Sequence, residues 1–334
     1  MKCFIVIFLA SFPCLTLASP FKSDEHWMNF KSKYGKVYEN LEEESRRLKI
    51  FQENIINIES HNDRYAAGQE TYKMGINKFG DQSPEEFLGF LKHKSGQRSL
   101  NKEASKIADL HKPDLPNATD WREMNAVTPV RDQKNCAASW AFSVTGSLEG
   151  FYHLRYKRFK SPVAFSVQQL IDCDEANYGC YGGNEASAMD YFTTFGIETD
   201  SAYPYVALKN LCQYNQSIVF AHLESFIPIE PEDEQTILIV VGFLGPVSVA
   251  IDATRLQFYE SGIFSDNTCS KTTTNHAVLA VGYNKDNTTD LDYWIVKNSW
   301  GTSWGEDGYF KIKRGVNECA FAMEAVYPSF GIQP

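Results

Sequence analysis

The chain has 334 residues, which is enough to bury a sizeable core and suggests about two structural units. Apolar residues make up 43% and charged residues 22%, with no low-complexity stretch, so the composition excludes a disordered or fibrous protein. The net charge is −10 and no basic run occurs, so we predict no nucleic-acid partner.

The first 18 residues have the pattern of a secretory signal peptide. Lys2 precedes an apolar run from Phe4 to Leu17, and small residues lead to Ala18. The run is interrupted by Pro13 and is shorter than the ~20 residues that a membrane-spanning helix needs, so we predict no membrane span. We therefore expect cleavage after residue 18 and an extracellular or lysosomal destination.

Residues 19–114 have a helical pattern. Apolar residues recur at spacings of three, four and seven among charged ones: Phe30, Tyr34, Leu48, Phe51, Ile55 and Ile58. The end of this segment, from Leu91 to Pro113, is rich in Lys, Ser, Gly and His and shows no apolar period. We interpret that stretch as an exposed, cleavable linker.

Residues 115–334 are predicted to form an α+β unit. A helix is predicted for Trp140–Tyr156, and the apolar stretch Ile237–Ile251, broken at Pro246, predicts a buried helix followed by a strand. Runs of β-branched and aromatic residues predict strands at 246–251, 276–283, 293–298 and 309–313. A helical lobe followed by a β lobe favours a site in the cleft between them.

The cysteines indicate disulfides rather than a metal site. Once Cys3 and Cys14 leave with the signal peptide, six remain, which suggests three bridges with fifteen possible connectivities. No C-x-x-C pair occurs, so we predict neither a zinc site nor any other cofactor. Sequons at Asn117, Asn215 and Asn287 are consistent with a glycoprotein.

Four residues form a candidate catalytic set. Ser139 lies where the helix predicted at Trp140 begins, and unpaired backbone N–H groups at a helix start favour a nucleophile and an oxyanion. His276 could act as acid and base, Asn298 could orient its ring, and Gln133 could donate to an oxyanion. Each residue alone is more often structural, so the hypothesis depends on the set.

On these motifs the chain resembles the papain family, and within it the cathepsin L-like group, over nearly its whole length. The N-terminal part contains the interspersed pattern of the family's inhibitory prosegment, and the rest contains its cleft motifs. The matching residues are Glu43, Arg47, Phe51, Asn54, Ile58 and Asn62, then Gly75, Asn77, Phe79 and Asp81, then Asp120-Trp121-Arg122, Gly179 to Gly183, Tyr203-Pro204-Tyr205 and Asn298-Ser299-Trp300-Gly301.

The resemblance implies a papain-like two-lobe fold, with a β-barrel-like second lobe, preceded by the helical inhibitory prosegment at 19–114. It also implies the roles given above for Gln133, His276 and Asn298, with Trp300 shielding the bond between His276 and Asn298. The protein would be a monomer that binds peptides and its own prosegment in the cleft. The disulfides it implies are Cys136–Cys180, Cys173–Cys212 and Cys269–Cys319. The prosegment would fill the cleft in reverse substrate direction, with Asp81 near contacts that loosen on acidification.

One position departs from the family pattern. The family's nucleophile motif is Cys-Gly-Ser-Cys-Trp, whereas this chain has Ser139 in place of the second cysteine, preceded by Ala137-Ala138. A hydroxyl cannot form the thiolate–imidazolium pair of a cysteine peptidase, so we expect proteolysis to be lost, with Ser139 acting as a helix N-cap. Testin-like proteins resemble the chain here.

Three alternatives remain open for Ser139. The first is a slow hydrolase in which His276 activates the hydroxyl. The second is silicatein-like condensation, although the serine-rich tract before the histidine of silicateins is here only Thr272-Thr273-Thr274. The third is an active cysteine endopeptidase in which Cys was mutated to Ser.

The resemblance also places the main specificity pocket. Gly182 and Gly183, the residues just after them, and the position five beyond the last cysteine form its walls, which gives Glu185 and Glu324. Carboxylates in such a pocket would favour an Arg or Lys side chain. The alternative is that both carboxylates point to solvent.

Overall fold

The computed structural model describes residues 20–93 and 115–330, so the predicted signal peptide and most of the predicted linker lie outside the described residues. The N-terminal part consists of α1 (Pro20–Tyr34), α2 (Leu41–Ala66), β1 (Tyr72–Met74) and α3 (Pro84–Phe90). Among the residues of the predicted apolar period, Phe30, Phe51 and Ile58 are buried, as an amphipathic packing requires.

Helix α2 holds the loop that follows it. The Asn54 amide donates to the Gly80 carbonyl at 2.9 Å, and the Asn62 amide exchanges two hydrogen bonds with the backbone of Met74 at 2.8 and 2.9 Å. Arg47 binds the Asp81 carbonyl at 2.8 Å. These polar residues of the prosegment pattern are therefore structural, because they satisfy backbone groups of the loop that leads to α3.

The helical lobe contains α4 (Ser139–Tyr156), α5 (Val167–Cys173) and α6 (Glu185–Phe195), with short 3₁₀ turns at Gly179–Tyr181 and Gln216–Ile218. Helix α4 is buried over most of its length, since it lies between the core of this lobe and the sheet. It begins one residue earlier than the predicted helix, so that Ser139 itself is its first residue.

The second lobe is built on a large sheet. Its elements are β2 (Thr119–Asp120), β3 (Ser225–Ile229), α7 (Glu234–Phe243), β4 (Val247–Ile251), β5 (Tyr259–Phe264), β6 (His276–Asp286), β7 (Leu291–Lys297), β8 (Tyr309–Lys313), a 3₁₀ turn at Glu318–Ala320 and β9 (Glu324–Ser329). The strand order is β1-β5-β8-β7-β6-β4-β9-β3, with β2 paired to β6.

The prosegment completes one edge of this sheet. Strand β1 pairs antiparallel with β5, and Tyr72, Phe79, Phe87 and Leu91 belong to the same buried cluster as the core of the β lobe. A separate buried cluster forms the core of the helical lobe. The α+β, two-lobe architecture with a helical prosegment is therefore confirmed.

The structure corrects the interpretation of the segment that begins at Leu91. Leu91 and His93 are buried rather than exposed, so the exposed linker does not begin where the composition predicted. The three disulfides pair Cys136 with Cys180, Cys173 with Cys212 and Cys269 with Cys319, as the resemblance implied. Across residues 20–93 and 115–330, no helix is long and apolar enough to cross a bilayer.

Candidate functional site

Ser139 is buried at the first position of α4. The loop before it is fixed by the Cys136–Cys180 disulfide and by the Ala137 amide, which donates to the Cys180 carbonyl at 3.1 Å. The N-cap position is occupied by Ala138, whose side chain cannot cap, so the prediction that Ser139 is the N-cap is wrong. The Ser139 hydroxyl instead accepts a hydrogen bond from the Ala277 amide at 3.3 Å, across the boundary between the lobes.

His276 opens β6 and is oriented by Asn298, which directly follows β7. The Nε2 atom of His276 lies 2.8 Å from Oδ1 of Asn298, and the same oxygen accepts the Ser299 amide at 2.8 Å. Because that oxygen is the acceptor for a backbone N–H, the imidazole must donate from Nε2. In the neutral ring Nδ1 is then the basic nitrogen.

The imidazole of His276 is neutral in this environment. Complete burial lowers its pKa from 6.5 to about 4, against the effect of the hydrogen bond that the ring donates to Asn298, which raises the pKa. The nearby His93 lowers it further. The site therefore holds a weak neutral base at ordinary pH rather than an imidazolium.

In the described part of the chain the imidazole of His276 bonds Asn298 through Nε2 and the Ser139 hydroxyl accepts from Ala277, and no hydrogen bond joins Ser139 to His276. All six cysteines within that part are disulfide-bonded, so it contains no free thiol. The structure thus brings the serine, the histidine and the amide together without forming a nucleophile–base pair.

Gln133 lies in the loop that precedes α4 and is almost fully buried. Its Nε2 atom donates to the Cys136 carbonyl at 3.0 Å, and its Oε1 atom accepts from the Ser299 hydroxyl at 2.7 Å. The backbone adds a 2.8 Å bond from the Gln133 amide to the Ser299 carbonyl. An amide nitrogen has two N–H groups, and the bond to the Cys136 carbonyl uses one of them.

Trp300 covers the imidazole of His276, with ring centroids 4.6 Å apart. Its indole is fully buried because prosegment rings pack edge-on against it, Phe79 at 5.4 Å and Phe87 at 5.5 Å. Trp300 therefore packs on the ring of His276, and the prosegment rings cover Trp300 in turn. Because water is excluded from this position, burial strongly lowers the pKa of His276.

The predicted pocket residues converge on one point. Glu185 is in the first turn of α6 and Glu324 begins β9, and both carboxylates approach the imidazole of His93, at 3.6 and 3.4 Å. Glu185 is only 3% exposed, which contradicts the alternative that it points to solvent. Glu324 also accepts a 2.6 Å bond from the Thr274 hydroxyl.

Gly182 and Gly183 differ in what they make room for. A Cβ on Gly182 would lie 1.8 Å from the Lys92 carbonyl oxygen, so its glycine allows the prosegment backbone to approach. A Cβ on Gly183 would lie 2.6 Å from the ring of Trp140, so that glycine serves the packing of the helical lobe. Only Gly182 therefore faces the bound segment directly.

Sequence reasoning missed His93. It lies in a stretch whose composition indicated a linker, and a lone histidine among Lys, Ser and Gly gave no signal of burial. His93 and Glu324 are 231 positions apart in the sequence, so no local pattern could have revealed their contact. The predicted sequons at Asn117, Asn215 and Asn287 are at exposed residues.

Comparison with known proteins identifies the family. The model of the papain family cysteine protease domain matches residues 115–329, and that of the cathepsin propeptide inhibitor domain matches residues 27–87. Digestive cysteine proteinase 3 of Homarus americanus is 40% identical, covering 94% of this chain and 96% of that protein. Cathepsin L2 of Homo sapiens is 37% identical, covering 96% of this chain and 98% of that protein.

Solved structures show the same arrangement of propeptide and protease. Digestive procathepsin L 3 from the larval midgut of Tenebrio molitor superposes with a TM-score of 0.85 at 41% identity, covering 92% of this chain and 99% of that one. The chain therefore belongs to the papain family of cysteine proteases, as a cathepsin L-like proprotein.

Proposed function

We propose that this proprotein has little or no cysteine-peptidase activity and retains a cleft that binds peptides. The observation that carries the proposal is Ser139 at the start of α4, the position of the family's nucleophilic thiol, with His276 opening the adjacent strand. In a cysteine peptidase the helix start and an imidazolium lower the thiol pKa from ~8.5 to roughly 3–4. A hydroxyl is not ionised by such an environment.

The state of His276 supports this proposal. Its pKa of about 4 leaves the ring neutral, so no ion pair with a nucleophile forms. A slow Ser139/His276 hydrolase is the second candidate, because the neutral ring has Nδ1 free of its proton for general-base catalysis. Such a weak base, without a hydrogen bond to the hydroxyl, supports slow turnover at most. Silicatein-like condensation would need the same hydrogen-bonded pair of Ser139 and His276.

The remaining assignments belong to the same proposal. Residues 1–18 are the signal peptide, 19–114 the inhibitory propeptide and 115–334 the peptidase-like domain, and the protein enters the secretory pathway as a monomer. Gln133 is the oxyanion donor, Asn298 orients His276, and Trp300 shields their bond. The partners are the chain's own prosegment and peptides or unfolded segments.

We also propose that the pocket formed by Gly182, Gly183, Glu185 and Glu324 prefers a basic side chain. Both carboxylates are directed at a single imidazole in the proprotein. Once that imidazole leaves, an Arg or Lys side chain in its place would form charge-assisted contacts with the same carboxylates.

The decisive experiment restores the thiol. The proprotein and its Ser139→Cys variant are cut in the linker with an added serine protease, which is then inhibited, and both are assayed with fluorogenic peptides carrying Arg or Phe at the second position before the scissile bond. We expect turnover only from Ser139→Cys, with Arg preferred and the preference lost in Glu324→Ala.

Two controls define the outcome. Ser143→Cys places a thiol one turn further along the same helix and should remain inactive, whereas His276→Ala in the Ser139→Cys background should abolish the restored activity. Turnover of the unmodified protein at ~1 s⁻¹ or more would contradict the loss of activity. A Cys codon for this position in the natural transcript would show that the serine is a mutation.

A further inference from the structure

The imidazole of His93 is enclosed between two carboxylates of the mature region. Nδ1 lies 3.6 Å from Oε2 of Glu185, and Nε2 lies 3.4 Å from Oε2 of Glu324. The His93 side chain has no exposed area, and that of Glu324 retains 13%. A side chain of the prosegment therefore occupies the proposed specificity pocket.

Backbone contacts fix the position of His93. Its amide donates to the Asn275 carbonyl at 3.0 Å, one residue before His276. The preceding residue, Lys92, passes so close to Gly182 that no Cβ would fit there. The imidazole is thus delivered to the carboxylates by the path of the chain, not by a flexible side chain alone.

The geometry favours a charged ring. A neutral imidazole carries a proton on one nitrogen only, whereas here both nitrogens face carboxylates. Nε2 is within hydrogen-bonding distance of Glu324, and Nδ1, at 3.6 Å from Glu185, lies just beyond that distance in an ion-pair contact. The same three residues could be considered for a metal ion, since their ligand atoms lie within 4.8 Å of one another. A single ion cannot bind both nitrogens of one ring, so the two-sided contact fits a proton better.

The groups around His93 have opposing effects on its charge. Burial lowers the pKa of His93, but Glu185 and Glu324 together outweigh burial, and the net pKa is raised above 6.5. Within residues 20–93 and 115–330, His276 also interacts electrostatically with His93, and its neutral state adds no positive charge. Lys92, on the same segment, extends over the ring of Tyr181 with its ammonium 5.7 Å from the ring centroid.

We propose that His93 is a proton-dependent latch, an imidazolium held by Glu185 and Glu324 that fastens the end of the prosegment in the pocket. The inference rests on the proposed binding of the prosegment in the cleft and is independent of the chemistry of Ser139. Docking takes up a proton, so the latch is fully formed below pH 6.5 and is lost as the pH rises through the raised pKa.

The first test is the titration of His93 in the intact proprotein, residues 19–334. Imidazole NMR signals are assigned with His93→Gln, and the pKa is compared with and without Glu324→Gln. We expect titration of His93 above 6.5, with both ring nitrogens protonated at pH 6, and a lower pKa in Glu324→Gln. Titration at or below 6.5 would overturn the latch whatever the activity assays of Ser139→Cys show.

The second test measures opening of the latch by hydrogen exchange at residues 87–93, corrected for the intrinsic pH dependence of exchange. In the unmodified proprotein we expect opening to increase about threefold or more between pH 6 and pH 8.5. His93→Gln should open more readily at pH 6 and lose this dependence, whereas His93→Lys, with a permanent cation, should stay closed at both values. His26→Gln changes an exposed prosegment histidine and should behave as the unmodified chain.

Two results of these experiments would exclude the latch. Equal pH dependence in the unmodified chain and in His93→Gln would show that another group controls docking. Closure that is restored by Zn²⁺ at pH 8.5 and removed by a chelator would show a metal site in place of the latch. Either result would overturn the proposal.

Discussion

At the residue scale, burial decides the chemistry of His276 more than its hydrogen bond does. The Asn298 oxygen stabilises the protonated ring, but complete desolvation dominates and the pKa falls to about 4. His93 experiences the opposite balance, because two carboxylates face it. Two imidazoles close to each other in the cleft are therefore driven to different charge states by what surrounds them.

This difference predicts how His276 affects stability. Its pKa is 6.5 in the unfolded chain and about 4 in the folded one, so its contribution is fully present above pH 6.5 and is lost as the pH falls toward 4. We expect His276→Gln to flatten the decrease in unfolding free energy between pH 6.5 and pH 4.5, measured with denaturant. His222→Gln, at an exposed site, should retain the wild-type slope. A wild-type slope in His276→Gln would contradict the assignment.

At the scale of elements, the segment Gly179 to Gly183 joins three functions. Its disulfide positions the start of α4, its turn carries Gly182 against the prosegment, and its continuation caps α6 through Asn184, whose Oδ1 accepts the Ala186 amide at 3.0 Å. The Asn184 cap and the Cys136–Cys180 disulfide fix the backbone around Glu185, and this fixes the position of its carboxylate in the pocket.

The close approach at Gly182 yields a second prediction. Gly182→Ala adds a Cβ 1.8 Å from the Lys92 carbonyl at a φ of +103°, so the prosegment must move away. We expect faster hydrogen exchange at residues 90–93 with little change within β6 and β7. Gly315→Ala, at a φ of +90° with no atom within 4 Å, is the matched control for backbone strain alone. Equal exchange at residues 90–93 in the two variants would show that the contact has no role.

At the scale of the whole molecule, the prosegment is part of the folded core. Rings of Phe79 and Phe87 pack on Trp300, β1 extends the sheet, and Lys78 forms a 2.7 Å ion pair with Asp132. The carboxylate of Asp81 does not face the mature region, since it bonds Lys36 at 2.7 Å and Tyr38 at 2.9 Å within the prosegment. Its ion pair therefore holds parts of the prosegment to each other, whereas the His93 latch holds the prosegment to the mature region.

The Cys269–Cys319 disulfide connects segments of the β lobe 50 residues apart. Loop-closure entropy predicts that removing it with the Cys269→Ala and Cys319→Ala pair lowers the unfolding free energy by about 4 kcal/mol. Urea unfolding of the proprotein under non-reducing conditions measures this, and added reductant should abolish the difference between the variant and the unmodified chain. A loss below about 1 kcal/mol would contradict this estimate.

The sequence by itself determined the elements whose signals are local. The apolar period identified the prosegment helices, the β-branched runs identified β4, β6, β7 and β8, and the break at Pro246 correctly separated α7 from β4. Strands β3 and β5 were not predicted, because Pro228 interrupts β3 and Gly262 lies within β5, so neither forms an unbroken run of β-branched and aromatic residues. The motifs also identified the set Gln133, Ser139, His276 and Asn298.

Only the tertiary structure decided how these residues are used. Ser139 bonds the Ala277 amide instead of capping its helix, and Glu185 is buried instead of exposed, because both face elements far away in sequence. The burial of His93 follows from the path of the chain past Gly182, which no residue pattern encodes. Spacing indicates which side chains lie on one element, but desolvation and charge pairing arise only when elements pack, and these forces set the protonation states in the cleft.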